Sequence, residues 1–295
     1  MDKLVIQVRV NEGQSKDVNP SVPYGPAEIA DQAVECWRAG ASMVHYHARD
    51  AESGSPSTDP KVFADVVRRI RNECDIITFP TLGASQLPTA EERLAHIVEM
   101  AAEPTTRPDC IPVDMLTSNL DRYVAHRKEI VSSGDRIYLN TVNMLKYLCE
   151  NARALGVKPV SMIWNVAGAR LTEAFIEMGL YQTPLICELS VFGPGFEAFG
   201  HPATPKGLQS LVDFLPADGS WPWTVSVIGA NAFPVLAHAI ATGGHVAVGV
   251  ADDSYEVLGK PTNAELVARV VEMAQSMGRE IASVSEAREM FGLSR

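Results

Sequence analysis

Residues 223–251 read WTVSVIGANAFPVLAHAIATGGHVAVGVA, a stretch with no formally charged side chain. A membrane-spanning helix needs about 20 consecutive apolar residues. Here Asn231, Pro234, His238 and the Gly243-Gly244 pair interrupt the run, which reads instead as a strand over 223–228, a helix over 231–241 and a strand over 245–250. Strand, helix, strand is the repeating unit of a parallel sheet. The same rhythm runs outward through the chain. Further strand-like runs lie at 4–10, 42–47, 75–80, 110–114, 159–164 and 184–190, with helical segments at 26–38, 60–72, 89–101, 142–155, 171–178, 205–214 and 263–277. Pro26 after Gly25 and Pro60 after Asp59 are helix-start signals, and Gly40, Gly156, Gly179 and Gly243 follow helical runs where a left-handed cap favours glycine. Eight strands alternating with helices predict an α/β fold of the (β/α)8 TIM-barrel type. The alternative, an open doubly wound sheet, lacks its G-x-G-x-x-G fingerprint after the first strand. A ninth apolar run at 136–140 reads as a small extra strand inside one connection. With no repeat or linker, residues 1–295 are expected to form a single barrel domain with a C-terminal helical tail at 285–291.

The chain has 295 residues, 25 Lys and Arg against 36 Asp and Glu, and a formal net charge of −11. A barrel of about 250 residues fits this length, and a chain of this size buries roughly three quarters of its unfolded surface. The charge balance argues against a nucleic-acid partner, which needs clustered cations against phosphates. No block of five or more like charges is present, which removes a polybasic membrane patch. An anionic small molecule stays compatible, because a few local donors can hold one. Cys36, Cys74, Cys110, Cys149 and Cys187 are odd in number and widely spaced, as expected of reduced thiols. The first 13 residues lack the apolar core and small-residue cleavage site of a signal peptide, so a soluble cytoplasmic protein is expected.

The candidate chemistry centres on Val44-His45-Tyr46-His47-Ala48-Arg49-Asp50, at the end of the second strand. Residues two apart on a strand share a face, so both imidazoles can point into the barrel mouth, where such barrels keep their active sites. Two histidines there suit zinc or another divalent metal; hydrogen-bonded core histidines are the alternative. Arg49 and Asp50 read as a strand-end ion pair. Glu12 after the first strand and Glu188 near the end of 184–190 can reach the mouth. Arg9, a charge within a strand, needs a carboxylate partner, and Glu12 or Glu188 would make a structural ion network. His96, His126 and His238 fall on predicted helices as surface or packing residues. Phe192-Gly193-Pro194-Gly195 begins a loop to Pro202 that reads as a tight turn or a flap over the mouth.

From Pro23 to Asp59 the chain carries Glu28-Ile29-Ala30, Ala39-Gly40-Ala41, the two-histidine segment and Ser57. Later come Gly243-Gly244-His245-Val246, Val248-Gly249, Ser254-Tyr255, Lys260, Asn263-Ala264-Glu265-Leu266-Val267, Gly278-Arg279-Glu280-Ile281-Ala282 and Glu286-Ala287-Arg288-Glu289-Met290. In order and spacing, over nearly the whole chain, these resemble the β-keto acid cleavage enzymes. The resemblance implies a (β/α)8 barrel, a homotetramer, zinc at the strand ends, and a reaction of a β-keto acid with acetyl-CoA that yields acetoacetate and a new CoA ester. It implies His45 and His47 as metal ligands and, as catalytic residues, Thr81, the hydroxyl after the third strand, and Asp252, the acidic neighbour of the metal site. Glu12 and Glu188 are the candidate substrate contacts and replacement carboxylates. The chain departs from the pattern at Ala251, where the family places the metal-binding Glu, at Ala247 in place of an Arg, and at Met162 in place of a Glu near the reacting centre. A catalytically silent relative that binds a small ligand in the old site is the second reading.

Overall fold

The computed structural model describes residues 2–83, 87–132, 134 and 137–293. Eight parallel strands make the central sheet: β1 (Ile6–Arg9), β2 (Met43–Tyr46), β3 (Ile77–Pro80), β4 (Cys110–Asp114), β5 (Lys158–Ile163), β6 (Cys187–Phe192), β7 (Trp223–Ile228) and β8 (His245–Val248). Their spatial order is β3-β2-β1-β8-β7-β6-β5-β4. The two ends of that order lie side by side: the Asp109 amide donates to the Thr78 carbonyl at 3.1 Å, and the Thr78 amide to Asp109 Oδ2 at 2.7 Å. The result is the expected barrel, nearly closed.

Helices α1 (Gly25–Ala39), α2 (Pro60–Glu73), α3 (Ala90–Ala101), α4 (Val142–Ala154), α5 (Val166–Glu177), α6 (Pro205–Val212), α7 (Phe233–Thr242) and α8 (Asn263–Ser276) surround the strands. Local chemistry sets their starts. Asp59 accepts from the Lys61 amide ahead of α2, and Thr89 with Glu92 and Thr262 with Glu265 form reciprocal capping boxes. Only α5 begins well before its predicted start of 171. Asn165 caps it by accepting from the Gly168 amide at 3.0 Å. Gly168 lies inside the helix because a Cβ there would meet the Met115 carbonyl at 3.2 Å.

The opening stretch folds as β7, α7 and β8. Gly243 adopts φ +94 to end α7, and Gly244 leaves room for the Trp223 ring, which a Cβ would meet at 2.1 Å. Among the described residues no helix is long and apolar enough to cross a membrane. Between β4 and α4 an insertion carries two short antiparallel pairs, Ser118–Asn119 with Ile137–Tyr138 and Arg122–Val124 with Glu129–Val131. The extra strand expected at 136–140 is therefore seen at 137–138, and Arg136 lies outside the described residues. His126 sits in the turn of the second pair, exposed, and not on a helix.

The last helix, α9 (Val284–Met290), closes the bottom of the barrel. Val284, Ala287 and Phe291 pack with Val5, Met43, Cys110 and Ile186 from the strands, and the Phe291 ring meets His245 edge-on at 5.5 Å. His245 Nδ1 accepts from the Val5 amide, which requires a neutral ring. Burial, helped by Arg279, lowers its pKa to about 3, and burial lowers that of His96 to about 4. The unfolded chain therefore takes up these protons first. The stabilisation is full above about pH 6.5 and is lost as pH falls towards 4, at up to about 1.4 kcal/mol per pH unit for each group. Urea unfolding at pH 5 is expected to show at least about 2 kcal/mol less stability than at pH 7; equal values at both pH values would contradict it.

Candidate active site

With the bottom plugged, the open end of the barrel is the C-terminal end of its strands. There β2 delivers His45 and His47 to one face, with ring centroids 5.2 Å apart. His45 Nδ1–H donates to the Phe79 carbonyl on β3 at 2.8 Å, which leaves Nε2 available. Asn11 holds the backbone of His47 from both sides, its Oδ1 accepting from the His47 amide and its Nδ2 donating to the His47 carbonyl, each at 2.9 Å. Burial keeps both rings neutral: His47 is lowered to about 4, and His45 well below its ordinary value.

Arg9, at the end of β1 and beside His45 in register, is 3% exposed and is the centre of the charge network. Nη1 meets Glu188 Oε1 at 2.7 Å, Nη2 meets Glu12, and Nε lies 2.9 Å from Asp252 Oδ1. The Asp252 contact is an ion contact off the N–H direction, since neither atom has a hydrogen-bond partner among the described residues. Gly249 permits this assembly. A Cβ there would stand 1.9 Å from the Arg9 carbonyl, so the turn after β8 could not approach β1. Burial opposes the charge on Arg9, and the three carboxylates outweigh it. Burial likewise pushes Glu12 up, but Arg9 and the two histidines draw it down to about 2. Asp252 goes the other way, its carboxyl raised well above the usual range by burial that Arg9 only partly offsets.

A cleft of about 250 Å³ opens over this network, lined in part by Arg9, Glu12, His45, His47, Thr81 and Ser190. Thr81 Oγ1 accepts from the Gly83 amide at 3.2 Å, so its hydroxyl hydrogen stays free to donate. Glu188 and Asp252 are buried behind Arg9 and not in the cleft wall. The predicted residues thus converge, but in two layers. Arg49 and Asp50 do not pair. Arg49 donates to the carbonyls of Gly54 and Gln14 and covers the Tyr24 ring, and Asp50 accepts from Ser53, because the loop turns the two side chains to different backbone partners.

The loop after β6 is an aromatic flap. Phe196 and Phe199 pack with Phe192 and Trp164, and Arg122 from the insertion stacks 3.4 Å from the Phe196 ring centroid. Phe199 and Trp164 face the cleft, and the buried Trp164 Nε1 has no hydrogen-bond partner among the described residues. The insertion and β4 also contribute Tyr138 and Asp114 to the wall, joined by a hydrogen bond from the phenol to Asp114 Oδ2. No sequence motif marks either residue. The available signal was position: Asp114 ends a barrel strand, as the histidine segment does.

The donor set offers two neutral imidazoles to a metal, one of them oriented from behind by a backbone carbonyl in the manner of metal-bound histidines. Among the described residues, no third His, Cys, Asp or Glu converges with them. Ala251 is buried and has no donor atom, and Glu12 is engaged by Arg9.

The family model for beta-keto acid cleavage enzymes matches residues 3–293. The 3-keto-5-aminohexanoate cleavage enzyme of Acetoanaerobium sticklandii is 34% identical, covering 100% of both chains. The 3-dehydrocarnitine:acetyl-CoA trimethylamine transferase of Rhizobium meliloti is 28% identical over 96% of this chain and 94% of that one. Among solved structures, apo ObcA superposes with a TM-score of 0.75 at 17% identity, covering 94% of this chain and 66% of that one, a likeness of fold.

Proposed function

The chain belongs to the beta-keto acid cleavage enzyme family, and from that premise we propose that it converts a β-keto acid and acetyl-CoA into acetoacetate and a new CoA ester. The observation that carries this reading is the neutral His45–His47 pair at the rim of a closed-bottomed cleft with the Arg9 cation beside it. At about 250 Å³ the cleft takes a short keto acid and the thioester end of acetyl-CoA, leaving the nucleotide end outside.

The chemistry requires a polarised keto carbonyl, a base, and a donor to a developing oxyanion. His45 and His47 would hold zinc or another divalent metal, which when bound supplies Lewis-acid polarisation. With only two protein donors its hold would be weak. Thr81 presents its hydroxyl to the oxyanion. Glu12 contacts substrate from the wall, while Glu188 and Asp252 act through Arg9 by fixing the guanidinium.

The test uses acetoacetate itself, the product shared by every reaction of this type. Acetyl-CoA carrying a 13C carbonyl is incubated with unlabelled acetoacetate, and label in acetoacetate is read by NMR. Transfer supports the reading. The absence of transfer together with the absence of retained metal would favour the silent ligand binder, the reading that Ala247, Ala251 and Met162 support.

The assembly proposed is a homotetramer in a reducing, cytoplasmic compartment. Supporting the tetramer, Tyr123, Ile130, Val131, Ile137 and Leu139 of the insertion and Val142 at the start of α4 are exposed large apolar side chains, which an interface would cover. Sedimentation at micromolar concentration is expected to give a tetramer, and a monomer would contradict it.

A further inference from the structure

Among the described residues two carboxylates line the cleft, and their surroundings differ. Glu12 is paired with Arg9 and held down to about 2, which makes it a poor proton acceptor at neutral pH. Asp114, at the mouth end of β4, has no cation partner among the described residues. Tyr138 donates to its Oδ2, and Oδ1 has no hydrogen-bond partner among the described residues. In register it lies beside Met162 on β5, another wall residue and one that cannot take a proton. Resting on the acetyl-CoA reaction proposed above, we infer that Asp114, held by the Tyr138 hydroxyl, is the base that removes the C2 proton of the β-keto acid.

The step balances. The C2–H bond breaks, its proton bonds to Asp114 Oδ1, and the electron pair stays on the substrate as an enolate. That carbon attacks the acetyl-CoA carbonyl and CoA leaves as thiolate. The thiolate adds to the original keto carbonyl, and the carbon–carbon bond cleaves to give the new CoA ester and the enolate of acetoacetate. Asp114 returns its proton to that carbon and is ready again.

Among the described residues five groups face the carboxyl electrostatically: Tyr138 from the insertion, Arg93 from α3, Tyr181 after α5, Glu188 from β6 and Glu12 after β1. Burial raises Asp114 to about 6, the Tyr138 bond and Arg93 oppose the rise, and the two glutamates add to it. A base with that value is mostly charged at neutral pH yet still takes up a proton readily, the balance at which general-base catalysis works best. It acts as the carboxylate, so the rate should fall as pH drops through about 6. Removing the Tyr138 hydroxyl removes an influence that lowers the value, so the acidic limb should move up, by about half a unit to one unit.

The experiment is 13C-label transfer into acetoacetate by wild type, Asp114→Asn and Tyr138→Phe, with pH profiles. Expected are a loss of at least about a hundredfold in kcat for Asp114→Asn, with KM for acetoacetate little changed, and an upward shift of the limb in Tyr138→Phe. A smaller loss in a folded Asp114→Asn, or an unmoved limb in Tyr138→Phe, overturns this inference while the reaction stands. If Asp114→Asn does not fold, the limb in Tyr138→Phe decides alone. Wild type without label transfer removes the reaction and the inference together.

Discussion

Arg9→Met is expected to cost about 3–5 kcal/mol of stability, because it strips the cation from a buried cluster while leaving the carboxylates in place. Arg9 is 3% exposed and touches Glu188, Asp252 and Glu12. Among the described residues Glu188 then keeps Gln7 alone, whose Nε2 donates to it at 2.9 Å. Without the guanidinium, burial is left to raise the Glu12 and Asp252 carboxyls in the folded state above their values in the unfolded chain. The variant is then most stable in its protonated form at low pH, and the deficit grows as pH rises through the ordinary carboxylate range. Urea unfolding at pH 5 and pH 8 should therefore show a larger gap from wild type at pH 8. Arg9→Lys should recover only part of it, since an ammonium cannot serve three carboxylates spread around a planar fork. A loss below about 1 kcal/mol at both pH values would mean that the network contributes little.

Ala251→Glu is expected to raise zinc affinity at least about tenfold, by supplying the third protein donor that zinc sites normally have. The position is close to the mouth: the Ala251 amide donates to the Arg9 carbonyl at 3.3 Å, and Arg9 lies beside His45 in register. His45→Ala should abolish metal retention while the fold persists, because the closed barrel bottom and the helix caps do not depend on that side chain. Zinc titration of wild type, Ala251→Glu, Glu12→Gln and His45→Ala reads all of this. Equal affinity in wild type, Ala251→Glu and Glu12→Gln would show that neither carboxylate position governs the metal. Full metal content in both His45→Ala and His47→Ala would remove the site assignment.

The barrel was legible because its signals are local. Strand and helix periods, the prolines at helix starts and the Gly243-Gly244 break each act within a few residues of chain, and α5 was misjudged only where Gly168 serves a contact with Met115 across the fold. His45 and His47 could be paired from sequence for the same reason, since strand parity places residues two apart on one face. Arg9 was recognisable as a charge in need of a partner. That it takes three at once depends on β6 and the turn after β8 arriving beside β1, which barrel closure and the bare Cα of Gly249 decide. The pairing of Asp114 with Tyr138 has the same origin, for the insertion must fold back over β4 before the phenol can reach the carboxylate. A residue's period is written in its neighbours, whereas its charge partners and its proton affinity are set by which distant strands close around it and how much water they exclude.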